Sequence, residues 1–339
     1  MYSAAKWVAG RKDMYQTLLV PLDGSAAAER ALPYAEALAR TVDARIILLR
    51  AVVGPAFPAA MVESLEDALR QAAQALVPPP TVRDEGAEEQ VDMPHPALAY
   101  LNGIASRLRE RGCIAEPELA FGDPARVIVD AIRARAADLV VMATHGRSSL
   151  GQLATGSVAR AVLRSSIVPV FLVRAGSAPL DEPRLGGRAR LLVPLDGSGL
   201  AECALDVAAN LASQLGAELE LLSVVPEGDA ATTEVARRYL ATVADRLVGK
   251  RLVGRPGLMV RAGDPATAIA EVAAEMALVV MATHGRSGLG RLVNGSVAEA
   301  VLRRGATPVV LIRPAALRDE SLSAAVAAET GLDAETPGR

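Results

Sequence analysis

Two glycines separated by nine residues, with a serine directly after the second, form the part of this sequence best suited to chemistry. The residues with this spacing are Gly146, Gly156 and Ser157, and again Gly285, Gly295 and Ser296. In both places the pattern follows a short apolar run typical of a buried strand and opens a segment typical of a helix. Glycine lets the backbone approach an anion, and the first N–H groups of a helix can bind phosphate. The pattern predicts two phosphate-binding loops, although a glycine turn with a serine helix cap would look the same.

The sequence repeats itself, so each predicted loop belongs to one copy of a duplicated unit. Three segments recur in the same order: 18–25 matches 191–198, 121–132 matches 262–273, and 140–164 matches 279–303. The first copy carries extra residues at about 55–94, which we interpret as a surface insertion or, alternatively, as a lid or docking element. The predicted organisation is a disordered leader at 1–13, a first domain at 14–174, a linker at 175–188, a second domain at 189–314 and a weakly ordered tail at 315–339.

Short apolar runs alternate with longer segments of helical periodicity in each copy. In the first copy we predict strands near 16–22, 45–52, 115–121, 138–143 and 168–174, and helices near 25–41, 96–112, 124–136 and 157–165. Strands that alternate with helices form parallel sheets through right-handed crossovers. The predicted fold class is therefore α/β, with an open, doubly wound five-stranded parallel sheet in each of two tandem domains. Ligands of such sheets bind beyond the carboxyl ends of the strands, where the strand order reverses.

Composition and charge argue against several other classes of protein. The chain is 51% apolar but only 3% aromatic, which suits layered helices and buried strands. Its net charge of −3 provides no broad basic surface, so nucleic acid is not an expected partner. No apolar run reaches the roughly 18 residues that span a bilayer, and Cys113 and Cys203 lack the spacing of a metal site or a disulfide framework. We expect a soluble, cytoplasmic protein with no membrane partner.

The glycine spacing and the repeated PLDGS segment make the chain resemble the universal stress protein family. Nucleotide-binding members of that family carry G-x2-G-x9-G-(S/T) after the fourth strand, and here Ala143 and Ala282 stand in place of the first glycine. The resemblance implies Rossmann-like domains of the adenine nucleotide alpha hydrolase type, with ATP held between the loops that follow strands one and four. A magnesium ion would arrive with the nucleotide, since the sequence contains no metal-binding motif.

The resemblance also assigns nucleotide-binding positions residue by residue. An aspartate at the end of strand one can accept the ribose hydroxyls, or it can build an Asx turn. The arginine after each loop glycine can meet phosphate or solvent, and the histidine before that glycine is more often structural. No catalytic residue is predicted. The predicted nucleotide-binding residues are Pro21, Asp23, Ala51, Met142, Ala143, His145, Gly146, Arg147, Gly156, Ser157, Pro194, Asp196, Val224, Met281, Ala282, His284, Gly285, Arg286, Gly295 and Ser296.

The resemblance implies a stress-response or signalling module that binds an adenine nucleotide. We expect a binding module before an enzyme, because neither loop contains the Gly-Lys-Ser/Thr of efficient nucleoside triphosphatases. Two alternatives stay open: a dimerisation module without nucleotide binding, and slow ATP hydrolysis or autophosphorylation. The last strand of each copy is apolar on both faces and needs a cover. In the family that the chain resembles, two domains meet through this strand, so the resemblance implies that 168–174 and 307–313 pair antiparallel within one chain as a pseudo-dimer. The competing arrangement pairs each strand with a second chain, and a further homodimer is compatible with the pseudo-dimer.

Overall fold

The structure is a computed structural model. It describes residues 15–53, 95–144, 156–174, 176–177, 189–249, 252, 254–283 and 296–314. The predicted leader, insertion and tail, most of the predicted linker and the middle of both phosphate-binding loops lie outside the described residues. Among the helices that are described, none is both long and apolar enough to cross a membrane.

The first half of the chain alternates strands and helices, as predicted. Its elements are β1 (Thr17–Pro21), α1 (Ala26–Glu29), α2 (Leu32–Val42), β2 (Arg45–Val52), α3 (Pro96–Glu110), β3 (Ile114–Phe121), α4 (Pro124–Ala134), β4 (Leu139–Ala143), α5 (Ser157–Ser165) and β5 (Val170–Val173). Buried β-branched and leucine side chains dominate the central strands, which suits strands covered on both faces.

The second half repeats this order of elements. They are β6 (Arg190–Pro194), α6 (Gly199–Glu202), α7 (Ala204–Leu215), β7 (Glu218–Val225), α8 (Ala230–Leu247), β8 (Gly257–Ala262), α9 (Pro265–Ala273), β9 (Leu278–Ala282), α10 (Ser296–Arg304) and β10 (Val309–Ile312). Local signals recur with the elements. Asp123 and Asp264 cap the helices α4 and α9, each accepting a hydrogen bond of 3.0 Å from a backbone N–H in the first turn.

The helix predicted at 25–41 is wrong in one respect, because it is two helices. The short helix α1 ends at Glu29, and α2 begins at Leu32, directly before Pro33. A proline favours a helix start at this place because it has no N–H to donate. The second half breaks in the same way at Cys203 without a proline, so the proline alone does not cause the break.

The ten strands of the described residues form one sheet, in the order β3-β2-β1-β4-β5-β10-β9-β6-β7-β8. Within each half the strands are parallel, and the order 3-2-1-4-5 confirms the predicted five-stranded doubly wound sheet. The helices α1 to α3 and α6 to α8 cover one face, and α4, α5, α9 and α10 cover the other. In each half the chain leaves its first and fourth strands towards opposite faces.

The two halves join through their last strands. β5 pairs antiparallel with β10, with Phe171 opposite Val310 and Leu172 opposite Val309. The predicted antiparallel pairing within one chain is therefore confirmed. The register places Val170 opposite Leu311 and Val309 opposite Leu172, so an engineered disulfide across the join belongs at such a directly opposed pair.

Side chains from both halves share the same buried clusters on each face of the sheet. Tyr15, 1% exposed, donates a hydrogen bond of 3.4 Å from its hydroxyl to the carbonyl of Val207 in the other half. Half-buried Arg174 donates to the carbonyl of Gly305 just beyond α10. Burial lowers the pKa of Arg174 from its ordinary value. The join is thus a continuous core as well as a strand pairing.

Candidate functional site

The strand order reverses between β1 and β4, and a cleft opens there beyond the carboxyl ends of the strands. Parallel doubly wound sheets bind ligands at such a switch point, because the flanking chains leave towards opposite faces and part from each other. The cleft in the first half has a cavity volume of about 210 Å³. Seven predicted residues line it: Pro21, Asp23, Ala51, Met142, Ala143, Gly156 and Ser157.

The loop after β1 is built around an Asx turn. Asp23 accepts a hydrogen bond of 2.9 Å from the N–H of Ser25, whose hydroxyl in turn accepts one of 3.1 Å from Ala28 and caps α1. Gly24 between them has φ 78°, a left-handed conformation that costs glycine little. One Asp23 oxygen therefore takes the structural role that the sequence left open, and the predicted ribose contact stays a prediction.

The first residues of helix α5 line the cleft. Gly156 is the N-cap, with φ −61° and ψ 160°, and its own N–H donates to the carbonyl of Thr144 at 2.6 Å. The next three residues, Ser157, Val158 and Ala159, occupy positions whose N–H groups have no acceptor within a helix, and all three line the cleft. The alternative in which Ser157 caps the helix is wrong, since it is the first helical residue. Such a helix start favours an anion.

Alanine in place of the family's first glycine causes no backbone strain. Ala143 ends β4 in register with Val173, and Ala282 ends β9 in register with Ile312. Among the described residues neither has positive φ, so the backbone does not require glycine there. The Ala143 methyl group lines the cleft, where it narrows the space by one carbon.

Part of the cleft lining comes from the end of β2. Ala51 lies there, two residues beyond Leu49, whose carbonyl accepts a hydrogen bond of 2.8 Å from Leu22. Met142, 6% exposed, closes the floor from β4. These apolar side chains are of a kind that suits contact with the ring of a base.

The second half has the same framework at the corresponding place. Leu195 donates to the carbonyl of Leu222 at 2.7 Å, and Asp196 accepts from the N–H of Ser198 at 3.0 Å. The predicted residues found at corresponding positions are Pro194, Asp196, Val224, Met281, Ala282 and Ser296. His145, Gly146, Arg147, His284, Gly285, Arg286 and Gly295 lie outside the described residues.

Sequence reasoning missed several residues that line the cleft. They are Leu22, Ala28, Leu49, Pro124, Ile128, Thr144, Val158 and Ala159. A usable signal existed, because most of them lie in the segments that recur between the two copies. Thr144 and Thr283, both 2% exposed, are buried polar side chains at the ends of β4 and β9.

A tyrosine and a glutamate beside the cleft recur in both halves. The Tyr100 hydroxyl donates to Glu29 at 2.8 Å, and the Tyr239 hydroxyl donates to Glu202 at 3.0 Å. Burial and the glutamate partner both raise the pKa of each tyrosine above its ordinary value. The negative charge of Asp23 contributes to the rise at Tyr100. Both hydroxyls therefore stay protonated near neutral pH and tie α3 and α8 to the short helices α1 and α6.

Within the described part of the chain, no cluster of three or more histidine, cysteine or carboxylate side chains could hold a metal ion. Asp23 is the carboxylate that lines the described cleft. The described residues therefore offer groups for an anion and a base, without a carboxylate cage for a cation.

Comparison with known proteins gives the same family in both halves. The sequence model of the universal stress protein family matches residues 14–174 and 187–313. A universal stress protein of Mycobacterium tuberculosis is 31% identical over 215 residues, covering 60% of this chain and 70% of that protein. One from Mycolicibacterium smegmatis is 27% identical over 311 residues, covering 88% and 97%. The crystal structure of a universal stress protein from Archaeoglobus fulgidus has a TM-score of 0.61 at 21% identity, covering 88% and 98%, and supports the fold.

Proposed function

Because this chain belongs to the universal stress protein family, we propose that each half binds an adenine nucleotide of the ATP type. The chain then acts as a stress-response or signalling module whose state depends on the nucleotide. The observation that carries the proposal is the start of α5, whose first three residues line a cleft at the switch point of the sheet and have N–H groups without an acceptor in the helix. The two domains would comprise residues 14–174 and 189–314.

The cleft offers a suitable partner for each part of such a nucleotide. The phosphates would lie against Gly156 and the N–H groups of Ser157, where the helix dipole favours negative charge. The ribose would lie near Asp23, whose carboxylate can accept hydroxyl protons. The base would pack against Ala51 and Met142. In the second half, the same parts would meet Ser296, Asp196, Val224 and Met281.

The loops between β4 and α5 and between β9 and α10 would complete the phosphate sites. His145, Gly146 and Arg147 belong to the first of these loops, and His284, Gly285, Arg286 and Gly295 belong to the second. A magnesium ion would arrive bound to the phosphates, with water supplying most of its ligands, as this cation prefers. Its role would be to neutralise phosphate charge. We place the protein in the cytoplasm, because the spacing of Cys113 and Cys203 suits a reducing compartment better than a disulfide framework.

Nucleotide released from the purified, denatured protein and identified by mass spectrometry tests the proposal directly. Calorimetry of the full chain then measures the number of sites, which we expect to be about two for ATP. Gly156→Val should remove one of them, because a β-branched side chain at the N-cap obstructs the approach of phosphate. Since Gly156 has φ −61°, valine fits the backbone and the fold should survive, as circular dichroism can verify.

Gly295→Val is the corresponding change in the second half, and the double variant should bind no ATP. Gly103→Val is the matched control, because Gly103 lies on the exposed side of α3 with no atom within 4 Å of an added Cβ. Unchanged ATP binding by a folded Gly156→Val, Gly295→Val chain would contradict the assignment of the phosphate sites.

A module that holds its two domains together without binding nucleotide is the second candidate. The observation in its favour is the continuous core across β5 and β10, which needs no ligand to form. Absence of adenine nucleotide binding by the full chain, in calorimetry and in the released material, would favour this candidate.

A further inference from the structure

The two outer strands of the sheet, β3 and β8, differ in how their free edges are protected. Pro117 of β3 and Leu258 of β8 occupy corresponding positions in the two halves. Natural sheets protect edge strands from pairing with another chain by charged side chains and by proline, which has no N–H to donate. β3 carries Pro117 between two glutamates, whereas β8 carries Leu258 between a glycine and a methionine. The edge of β8 is therefore open to pairing.

The backbone of β8 directs alternate polar groups away from the sheet. The N–H of Gly263, directly after this strand, donates to the carbonyl of the last residue of β7 at 3.0 Å. Because successive residues of a strand direct their N–H and C=O groups to opposite sides, those of Leu258 and Val260 point away from β7. The same alternation in the first half places Pro117 on the outward side, where it removes a donor from the edge of β3.

Two side chains of opposite charge lie near the edge of β8 on the same face of the sheet. Glu220 of β7 lies opposite Gly257, and an added Cβ on that glycine would lie 2.6 Å from the Cδ of Glu220. The carboxylate therefore extends over Gly257 towards the edge. Arg261 lies four residues further along β8, so it shares the face of Gly257, and it is exposed. Its guanidinium donates to the outward carbonyl of Val260 at 3.5 Å.

Neither of these charges has an opposite charge in direct contact. Within the described part of the chain, no ion pair includes Glu220 or Arg261. Arg190 is near enough to influence Glu220, but it forms its ion pair with Glu275 at 3.6 Å. Burial raises the pKa of Glu220 above its ordinary value in spite of Arg190. A further cation beside Glu220 would therefore stabilise its carboxylate.

We infer that β8 pairs antiparallel with β8 of a second copy of this chain, about a twofold axis at Met259. In this register, Leu258 of each copy lies opposite Val260 of the other. The outward N–H and C=O groups of these two residues then form hydrogen bonds across the axis, as in any antiparallel ladder. Leu258, which is 38% exposed, becomes covered by the pairing.

The same register brings the opposite charges together. Gly257 lies opposite Arg261 of the other copy, in a pair without backbone hydrogen bonds, whose Cα atoms are about 4.5 Å apart. Since the two positions share one face, the arginine reaches the Glu220 carboxylate that extends over the glycine. The twofold axis repeats this contact, so the dimer contains two such ion pairs.

A second copy is the partner that fits this edge, because a twofold axis places the same surface on both sides of the interface. The chain already pairs two edge strands antiparallel where β5 meets β10. The proposed surface is separate from that join and needs no nucleotide. Since Pro117 blocks the other outer edge, the assembly closes at two copies and does not extend into a fibre.

Analytical ultracentrifugation of the full chain at increasing concentration tests the inference. Two short strands bury little area, so we expect a weak dimer that forms as the concentration rises. Leu258→Pro should raise its dissociation constant about tenfold or more, because each copy loses an outward N–H. Pro117 shows that this position accepts proline. Arg261→Glu, at an exposed position, should raise the dissociation constant by a similar factor, because it places two carboxylates side by side.

Arg109→Glu is the matched control, because it makes the same change of charge at an exposed position on α3 in the first half, and it should leave the dissociation constant unchanged. Glu220→Lys combined with Arg261→Glu exchanges the two charges and should restore dimerisation relative to Arg261→Glu alone. Circular dichroism verifies folding, and the single variants decide the outcome if the double variant is unfolded. A natural chain that is monomeric at every concentration, or a dimer unaffected by both Leu258→Pro and Arg261→Glu, overturns the inference.

Discussion

Phe171 is the most informative single residue for the join between the two halves. Its ring is fully buried in the middle of β5, directly opposite Val310 of β10, and its centroid lies 5.8 Å from that of Tyr34. A phenylalanine side chain buries about 150 Å² or more, and each Å² contributes about 25 cal/mol. Phe171→Ala should therefore lower the free energy of unfolding by about 3–5 kcal/mol, including the cavity that remains.

Urea unfolding of the full chain, followed by circular dichroism and by intrinsic fluorescence, measures this loss. Because the buried clusters contain residues of both halves, the natural chain should unfold in one transition, and Phe171→Ala should weaken that coupling. Phe121→Ala is the control, since Phe121 is 50% exposed on the outer strand β3 and its loss should cost less than about 1 kcal/mol. Equal effects of the two substitutions would refute the reasoning that the join is a packed core.

Three further predictions follow from local geometry. Gly197→Ala should lower the free energy of unfolding, measured by thermal unfolding, by about 1–2 kcal/mol, because Gly197 has φ 81°. Gly199→Ala is the control, since Gly199 lies in a helix with open space around an added Cβ, and this change should be neutral or slightly stabilising. Cysteines replacing Leu172 and Val309, which are directly opposed, should form a disulfide within one chain at high dilution, and a crosslink only between chains would contradict the join. Because folding raises the pKa of Tyr100, the contribution of this residue to the free energy of unfolding should persist up to about pH 10 and decline above that. Tyr100→Phe should make the decline in stability at alkaline pH less steep. A variant whose stability depends on pH as in the natural chain would contradict this prediction.

Much of this architecture follows from the sequence by itself. The repeat of LLVPLDGS and of the two longer segments shows that there are two copies, because long identical runs do not recur by chance. The alternation of apolar runs with helical periodicity predicts parallel strands, since a strand followed by a helix must cross over to reach its neighbour. These periodicities predict a strand near 45–52 and a helix near 157–165, and the structure has both elements with the same bounds.

The sequence was less informative wherever several local conformations are compatible with the same residues. Ser157 could cap a helix or begin one, and only the surrounding chain makes Gly156 the cap. Asp23 could hold a ribose or a turn, and the hydrogen bond from Ser25 shows the turn because that donor is two residues away. Ala143 stands where the family has glycine, yet its effect depends on a backbone angle that composition does not reveal.

Tertiary structure alone decided which distant residues line the cleft and in which register the two halves join. Pro124 and Ile128 reach the cleft because α4 crosses over the face of the sheet that also carries Leu49, a contact between residues far apart in the chain. The apolar last strands and the family resemblance together predicted their antiparallel pairing, but the register of Val309 with Leu172 depends on packing across the join. Local sequence determines which elements form, because their hydrogen bonds are short in range. Their mutual placement depends on burial, to which both halves contribute.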